Sequence, residues 1–292
     1  MAKFEFAAPT TLDEALDLLA GPGEVRPLTG GTDLIDQLNT GRRTVDLVVD
    51  IKRIPELQRL DFDSNGFHIG GARCCTDVHM DPTARSHYAG LAESCGLIGA
   101  VQIQNRAAVA GNVCNAAPSA DTVPCLIAHG CKAIVASKRG RREVTLEEFF
   151  VAPGQTVLRK GELLAELVLP APPDNSASAY LRFIPRNEMD IAVVGVGCFL
   201  ELDASTKVVR QARIALASVA PTPVRANAAE RVLEGRSISE ELVTEAGEAA
   251  VQAARPISDV RGSADYRSEL VKVLTRRVLR KCVERINGTA PV

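Results

Sequence analysis

Tryptophan is absent from this 292-residue chain, and phenylalanine and tyrosine make up only 4% of it. A surface that stacks successive nucleic-acid bases is built from aromatic side chains, so the composition argues against that class. Neither sign of charge dominates. With 34 Lys+Arg against 36 Asp+Glu, the formal charge is −2, which argues against binding nucleic acid through bulk positive charge. No apolar run approaches the roughly 18–20 residues that span a bilayer. The N-terminal stretch MAKFEFAAPTTLDEAL has no apolar signal core and carries acidic residues early, so the chain is expected to be cytoplasmic. The four histidines, His68, His79, His87 and His129, form no ligand pair. The eight cysteines include no C-x-x-C and no zinc or iron–sulfur spacing. Reduced thiols and no metal on this chain are the expectation.

At 292 residues there is room for about two domains of roughly 150 residues each. Residues 1–55 read as a small β-α-β-α-β unit. Phe4-Glu5-Phe6 is a short strand, and Thr11-Leu12-Asp13-Glu14 has the spacing of a capping box ahead of Leu12, Ala15, Leu16 and Leu19. Val25–Leu28 is a strand, Thr32–Leu38 a helical segment and Thr44–Ile51 a β-branched strand. Residues 56–173 form a central unit. GFHIGGA is a strand, Thr76 an N-cap, and Tyr88–Val101 a helix. A small-residue loop covers Arg106–Asp121, and a helix with Pro124 in its first turn follows. CKAIVAS is then a strand, KRGRR a turn, LEEFF a short helix and ELLAELVLP a strand. After the boundary at Ala171–Ser178, residues 174–292 carry three successive strands, Ala179–Ile184, Ile191–Leu202 and Arg210–Ala220. Helices over Val224–Leu233, Ser239–Ala254 and Ala264–Ile286 complete an α+β unit, an antiparallel three-stranded sheet with helices.

Two small-residue loops carry the chemical interest. In Leu28-Thr29-Gly30-Gly31-Thr32-Asp33-Leu34 a strand meets glycines and then a helix start. Backbone N–H groups at such a start suit a phosphate, and the Thr32 hydroxyl adds a donor. A plain strand–turn–helix capped by Thr32 or Asp33 fits the same residues. The second loop, Ala107–Asp121, is too long and too apolar for a solvent loop. Its Asn112, Asn115, Ser119 and Asp121 suit backbone laid along a large ligand, or a tight connection packed on its neighbours. Gly195-Val196-Gly197 fails as a dinucleotide fingerprint, because Leu200 replaces the third glycine and the segment lies within a strand. There is no phosphate loop of the G-x-x-x-x-G-K-[ST] type and no G-x-S-x-G elbow. Lys138, Arg139, Arg141 and Arg142 read as a solvated hairpin tip, and RFIPRNEMDIA as an exposed turn. No side chain earns a catalytic role. Small-residue loops without acid–base machinery point to a bound cofactor that supplies the chemistry.

These loops, in this order, resemble those of the FAD-binding medium subunit of molybdenum hydroxylases, the family of aerobic carbon monoxide dehydrogenase and of the xanthine dehydrogenase flavin domain. The match runs through Thr29-Gly30-Gly31-Thr32-Asp33-Leu34 and Gln102–Asn112, followed by Pro118 and Asp121. Arg186–Ala192 (RNEMDIA) and Arg261–Arg267 (RGSADYR) extend it over nearly the whole chain. Ala107, Ala108 and Ala110 depart from it, standing where the family has Gly, Thr and Gly. Losing the Thr hydroxyl removes a donor of about 1–2 kcal/mol and lowers the expected flavin affinity. The iron–sulfur insertion of relatives that reduce aromatic-CoA thioesters has no counterpart here.

The resemblance implies a two-part FAD-binding domain over residues 1–173, of the PCMH/VAO-like kind, and a flavoprotein C-terminal domain over 174–292. It implies that the flavin pyrophosphate lies on Gly30–Asp33, flanked by Leu28, Thr29 and Leu34. Ile103, Ala108, Ala110, Gly111, Asn112, Asn115 and Ser119 line the opposite wall. Asp121 accepts a hydrogen bond from the cofactor, Leu164 contacts the flavin ring, and Arg182 stands near the ring as a cation. It also implies [2Fe-2S] clusters and molybdopterin on separate small and large partner chains, often in a heterohexamer, with NAD, oxygen or a quinone as acceptor. A stand-alone flavin oxidoreductase of the same fold, or a flavin-free assembly module, are the other classes the residues leave open.

Overall fold

The computed structural model describes residues 3–186 and 189–289. In the small unit, the Thr11 hydroxyl accepts from the Glu14 amide while the Glu14 carboxylate accepts from the Thr11 amide, the capping box expected from the sequence. The elements are β1 (Glu5–Ala7), α1 (Leu12–Ala20), β2 (Val25–Leu28), α2 (Leu34–Asn39) and β3 (Leu47–Asp50), and the strands form a parallel sheet in the order β1-β3-β2. Because strand side chains alternate, Val49 joins Ala15, Leu16 and Leu19 of α1 on one face. Val48 joins Leu38 of α2 on the other. The α1 face continues into Ala136, Leu163 and Ala165 of the central unit, so the small unit is docked through a shared apolar layer.

The central unit opens with a hairpin of β4 (Leu60–Asp63) and β5 (Gly66–Gly70). Six helices follow: α3 (Cys75–Met80), α4 (Pro82–His87), α5 (Ala89–Cys95), α6 (Val101–Gln104), α7 (Val109–Asn115) and α8 (Thr122–Ala128). Then come β6 (Lys132–Ser137), β7 (Gly140–Thr145), the small hairpin β8 (Phe150–Ala152) and β9 (Gln155–Thr156), and β10 (Leu163–Leu169). The main sheet has the order β4-β5-β10-β6-β7 and is antiparallel throughout. Phe67, Ile69, Leu126, Ile127 and Phe149 are buried in its core. Each contributes roughly 1.5–3 kcal/mol relative to an exposed side chain.

The C-terminal unit consists of β11 (Ser176–Phe183), β12 (Val194–Leu202), β13 (Val209–Ala217), β14 (Val224–Arg225), α9 (Asn227–Leu233), α10 (Glu240–Ala250) and α11 (Ala264–Ile286). Its sheet is antiparallel in chain order, and α11 packs on β11 and β12. Tyr180 of β11 and Ala215 of β13 belong to the central core rather than to the C-terminal one.

Several local expectations need correction. The loop at Arg106–Asp121 contains a two-turn helix, α7, because its small residues suit a helix and Ala116, at φ 47°, ends it in the left-handed region. Cys74, not Thr76, is the N-cap of α3; the Thr76 hydroxyl is taken by Asn105 at 2.6 Å. LEEFF is a turn held by Thr145 and Glu148 and leading into β8. The expected helix over Tyr88–Val101 stops at Cys95, where Gly96 takes over as C-cap. Val224-Arg225 pairs with Ala215-Leu216 before α9 begins, adding a fourth strand to the three expected.

Candidate functional site

The two small-residue loops meet. A side chain at Gly30 would place its Cβ 1.9 Å from the Arg106 carbonyl oxygen, so only glycine lets the first loop lie on the second. At Gly111 the same atom would stand 3.1 Å from the Thr29 hydroxyl. Lys52 braces the first loop, donating to the Thr29 carbonyl at 2.9 Å and to Asp50 at 2.7 Å. The second is pinned by the Cys75 amide on the Ala107 carbonyl, at 2.8 Å, and by the Thr122 hydroxyl on Asn112, at 2.7 Å. Each loop contains the start of a short helix, α2 or α7, and there the Ile35 amide donates to the Gly31 carbonyl at 2.9 Å and the Val109 amide to the Arg73 carbonyl at 3.2 Å. Burial, then Asp36, pushes the Asp33 carboxyl up against the pull of Asn115, which comes from the other loop, and of Arg42.

Two of the three alanine departures, Ala107 and Ala110, are part of the central core with Val109. The Ala108 methyl is also buried, at 2% exposure, but lies 3.7 Å from where a Cβ on Gly111 would stand. The cost falls at Ala108, which is the N-cap of α7 in an extended conformation and makes no side-chain cap bond. A threonine there would supply one.

Across the seam between the central and C-terminal units, Asp121 at the start of α8 accepts from Arg182 and from the Tyr180 hydroxyl, both at 2.7 Å. Tyr180 and Arg182 are two apart on β11 and so share a face. The Arg182 and Asp121 side chains are 6% and 12% exposed. Burial pushes the Asp121 carboxyl up against the pull of Arg182 and Tyr180, and pushes the Tyr180 phenol well above its usual range, so Tyr180 stays a donor. The Arg182 Nε is buried without an acceptor. Tyr180 was not among the sequence candidates; its two-residue spacing from Arg182 along a strand was the available signal.

The structure thus brings Gly30 against Arg106-Ala107 and Thr29 against Gly111, and joins Asp121 to Arg182. Leu28 and Leu34 pack in the core of the small unit, and Ile103 on the central core. Ser119 is half-buried. Leu164 is 2% exposed within the central core. Of RNEMDIA, Asn187 and Glu188 lie outside the described residues, while Arg186 pairs with Asp190 at 3.3 Å. Three of the four hairpin-tip cations are matched: Lys138 with Asp13 and Asp17, Arg141 with Glu56 and Arg142 with Glu162. Arg267, 4% exposed, ties the loop before α11 to the sheet through the Val193 carbonyl and Asp259. All eight cysteines are free thiols, and among the described residues no group of His, Cys, Asp or Glu could hold a metal ion. No helix of the described residues is long and apolar enough to cross a membrane.

Residues 2–172 match the family described as FAD binding domain in molybdopterin dehydrogenase, and residues 179–282 the CO dehydrogenase flavoprotein C-terminal domain. The chain is similar to the xanthine dehydrogenase FAD-binding subunit of Escherichia coli O157:H7, 30% identical over 290 residues, covering 98% of this chain and 99% of that one. It is similar to the carbon monoxide dehydrogenase medium chain of Hydrogenophaga pseudoflava, 30% identical over 278 residues and covering 95% and 96%. Among solved structures, carbon monoxide dehydrogenase from Hydrogenophaga pseudoflava lacking the Mo-pyranopterin moiety superimposes with a TM-score of 0.92 at 30% identity, over 97% of this chain and 98% of that one.

Proposed function

This chain belongs to the FAD-binding subunits of the molybdopterin dehydrogenases, and from that premise we propose that it carries electrons between a partner's [2Fe-2S] clusters and an external acceptor. The family reading is of an oxidoreductase subunit with FAD on this chain. The observation that carries the rest is the meeting of the two loops, where Gly30 lies on the Arg106 carbonyl with no room for a side chain and Gly111 stands beside the Thr29 hydroxyl. The backbone of these loops and the Thr32 hydroxyl would hold the pyrophosphate. The orphaned Arg182 Nε and the Asp121 carboxylate fit a polar cofactor edge at the junction of the two units. Arg182 would supply positive charge to a bound flavin, its guanidinium held by Asp121, which also accepts from Tyr180, so that little reorganisation is needed. Leu164 would supply an apolar contact from β10. Bound FAD supplies the exchange between one-electron and two-electron carriers.

The iron–sulfur and molybdopterin centres are on separate small and large partner subunits, assembled as a heterohexamer, and the organic substrate is oxidised there. NAD, oxygen or a quinone would accept the electrons. The first test is an absorption spectrum of the chain purified alone and then titrated with FAD. Uptake approaching one flavin per chain supports the reading. A colourless protein that takes up no FAD, alone or with partner chains co-expressed, rejects it. Mixing the reduced iron–sulfur partner with the loaded chain should then bleach the flavin absorption, and the acceptor that restores it identifies the exit.

A further inference from the structure

Away from the loop seam, α3, α4 and α5 of the central unit and the C-terminal half of α11 enclose a cleft of about 630 Å³. Five basic side chains line it, Arg85, Arg277, Arg280, Lys281 and Arg285, against the acidic Glu93 and Glu284. Three of the five are matched. Arg280 pairs with Glu240 at 2.7 Å, Lys281 with Glu93 at 2.5 Å, and Arg285 with the same Glu93. Among the described residues, Arg85 and Arg277 make no side-chain hydrogen bond or ion pair, and both are exposed. The Arg285 Nε is buried with no acceptor. On a chain whose net charge is −2, this is a local concentration of positive charge in a concave, low-dielectric setting that focuses potential on an anion.

We propose that this cleft is a binding site for a phosphate-type anion with two or more phosphoryl groups. The unmatched guanidinium groups of Arg85 and Arg277 present planar donor pairs of the kind that engages phosphate oxygens two at a time. Several negative charges are needed to balance the basic excess of the lining. The lining has no Phe or Tyr, and its one ring, His79, lies against Gly96 and donates through Nδ1 to the Ala92 carbonyl at 2.8 Å, so recognition rests chiefly on the phosphates. Glu284 has no basic partner among the described residues and opposes the anion from the rim. The site is independent of the flavin reading, since none of its lining residues belongs to the loops that meet at Gly30 and Gly111.

The test is calorimetric titration of the chain, first saturated with FAD, with sodium pyrophosphate and separately with ADP. The expected result is one saturable site for each probe, with affinities within about threefold of one another because the phosphates carry the recognition. The double variant Arg85→Gln/Arg277→Gln should weaken both by about tenfold or more, and Glu284→Gln should tighten both. Unchanged melting temperatures of these surface variants confirm that they fold. Absence of saturable pyrophosphate binding overturns the proposal. So does binding that survives the double substitution, or binding of ADP without pyrophosphate.

Discussion

The two sides of the central unit treat their charges differently. On the outer side, by the β4–β5 hairpin, every group is matched. His68 lies between Glu166, at 3.0 Å, and Asp63, at 3.1 Å, and Arg59 reaches Asp61, Asp63 and Glu166. On the inner side, Asp121 and Arg182 are drier, yet Arg182 keeps a buried N–H with no acceptor. A buried N–H left open costs about 1–3 kcal/mol, and a bound acceptor that reaches it recovers part of that.

The sharpest way to break this contrast is Asp121→Ala. It strands a buried guanidinium and should cost roughly 3–5 kcal/mol in urea unfolding, whereas Asp121→Leu with Arg182→Met should recover most of that loss but not the flavin environment. Gly30→Ala comes next. Its methyl would strike the backbone carbonyl of Arg106, so about 1–3 kcal/mol of stability and most FAD uptake should go, read by thermal melting and by flavin content. Ala108→Thr sharpens the comparison in the other direction. By capping α7 it should add about 1 kcal/mol and tighten FAD up to about tenfold, measured by fluorescence titration.

The smallest effect distinguishes the two sides by pH. The Asn65 amide, then His68 and Arg59, hold the Asp63 carboxyl below its usual range. Its contribution is therefore complete above the ordinary carboxylate pKa and is lost as pH falls through the depressed value. Asp121 is raised by burial, so the native state favours its protonated form, and that advantage fades as pH rises through the raised value. Asp63→Asn should thus make the acid limb of a melting-temperature profile shallower. An unchanged limb would show that the outer cluster is not coupled to folding.

Local chemistry was readable from the chain wherever a signal was contained within a few residues. The Thr11–Glu14 capping box and the Ala264–Ile286 helix have the bounds their side chains imply. The helix α7 was not readable, because a run of alanine, glycine and asparagine suits loop and helix alike until Ala116 adopts its left-handed turn. The hairpin β8–β9 was missed because its strands have three and two residues, too short to show alternation. At the site, Gly30, Gly111, Asp121 and Arg182 could each be named from the loops and the family resemblance. Their partnerships could not, since Asp121 and Arg182 are 61 positions apart and only the fold brings them together. The inward direction of Ala107 and Ala110 also depends on tertiary packing, which turns an apparent loss of ligand contact into a gain of core.

Tyr180 and Ala215 lend their bulk to a core that lies in the other half of the chain. The peptide that joins the two halves near Asp174 is therefore not what holds them together. Cut there and produced as two polypeptides, the halves should be poorly soluble apart and should reassemble when co-expressed. A gene for this protein could be divided at that codon but not shortened to its flavin-binding part, because the piece left behind would lack the side chains that finish its own interior.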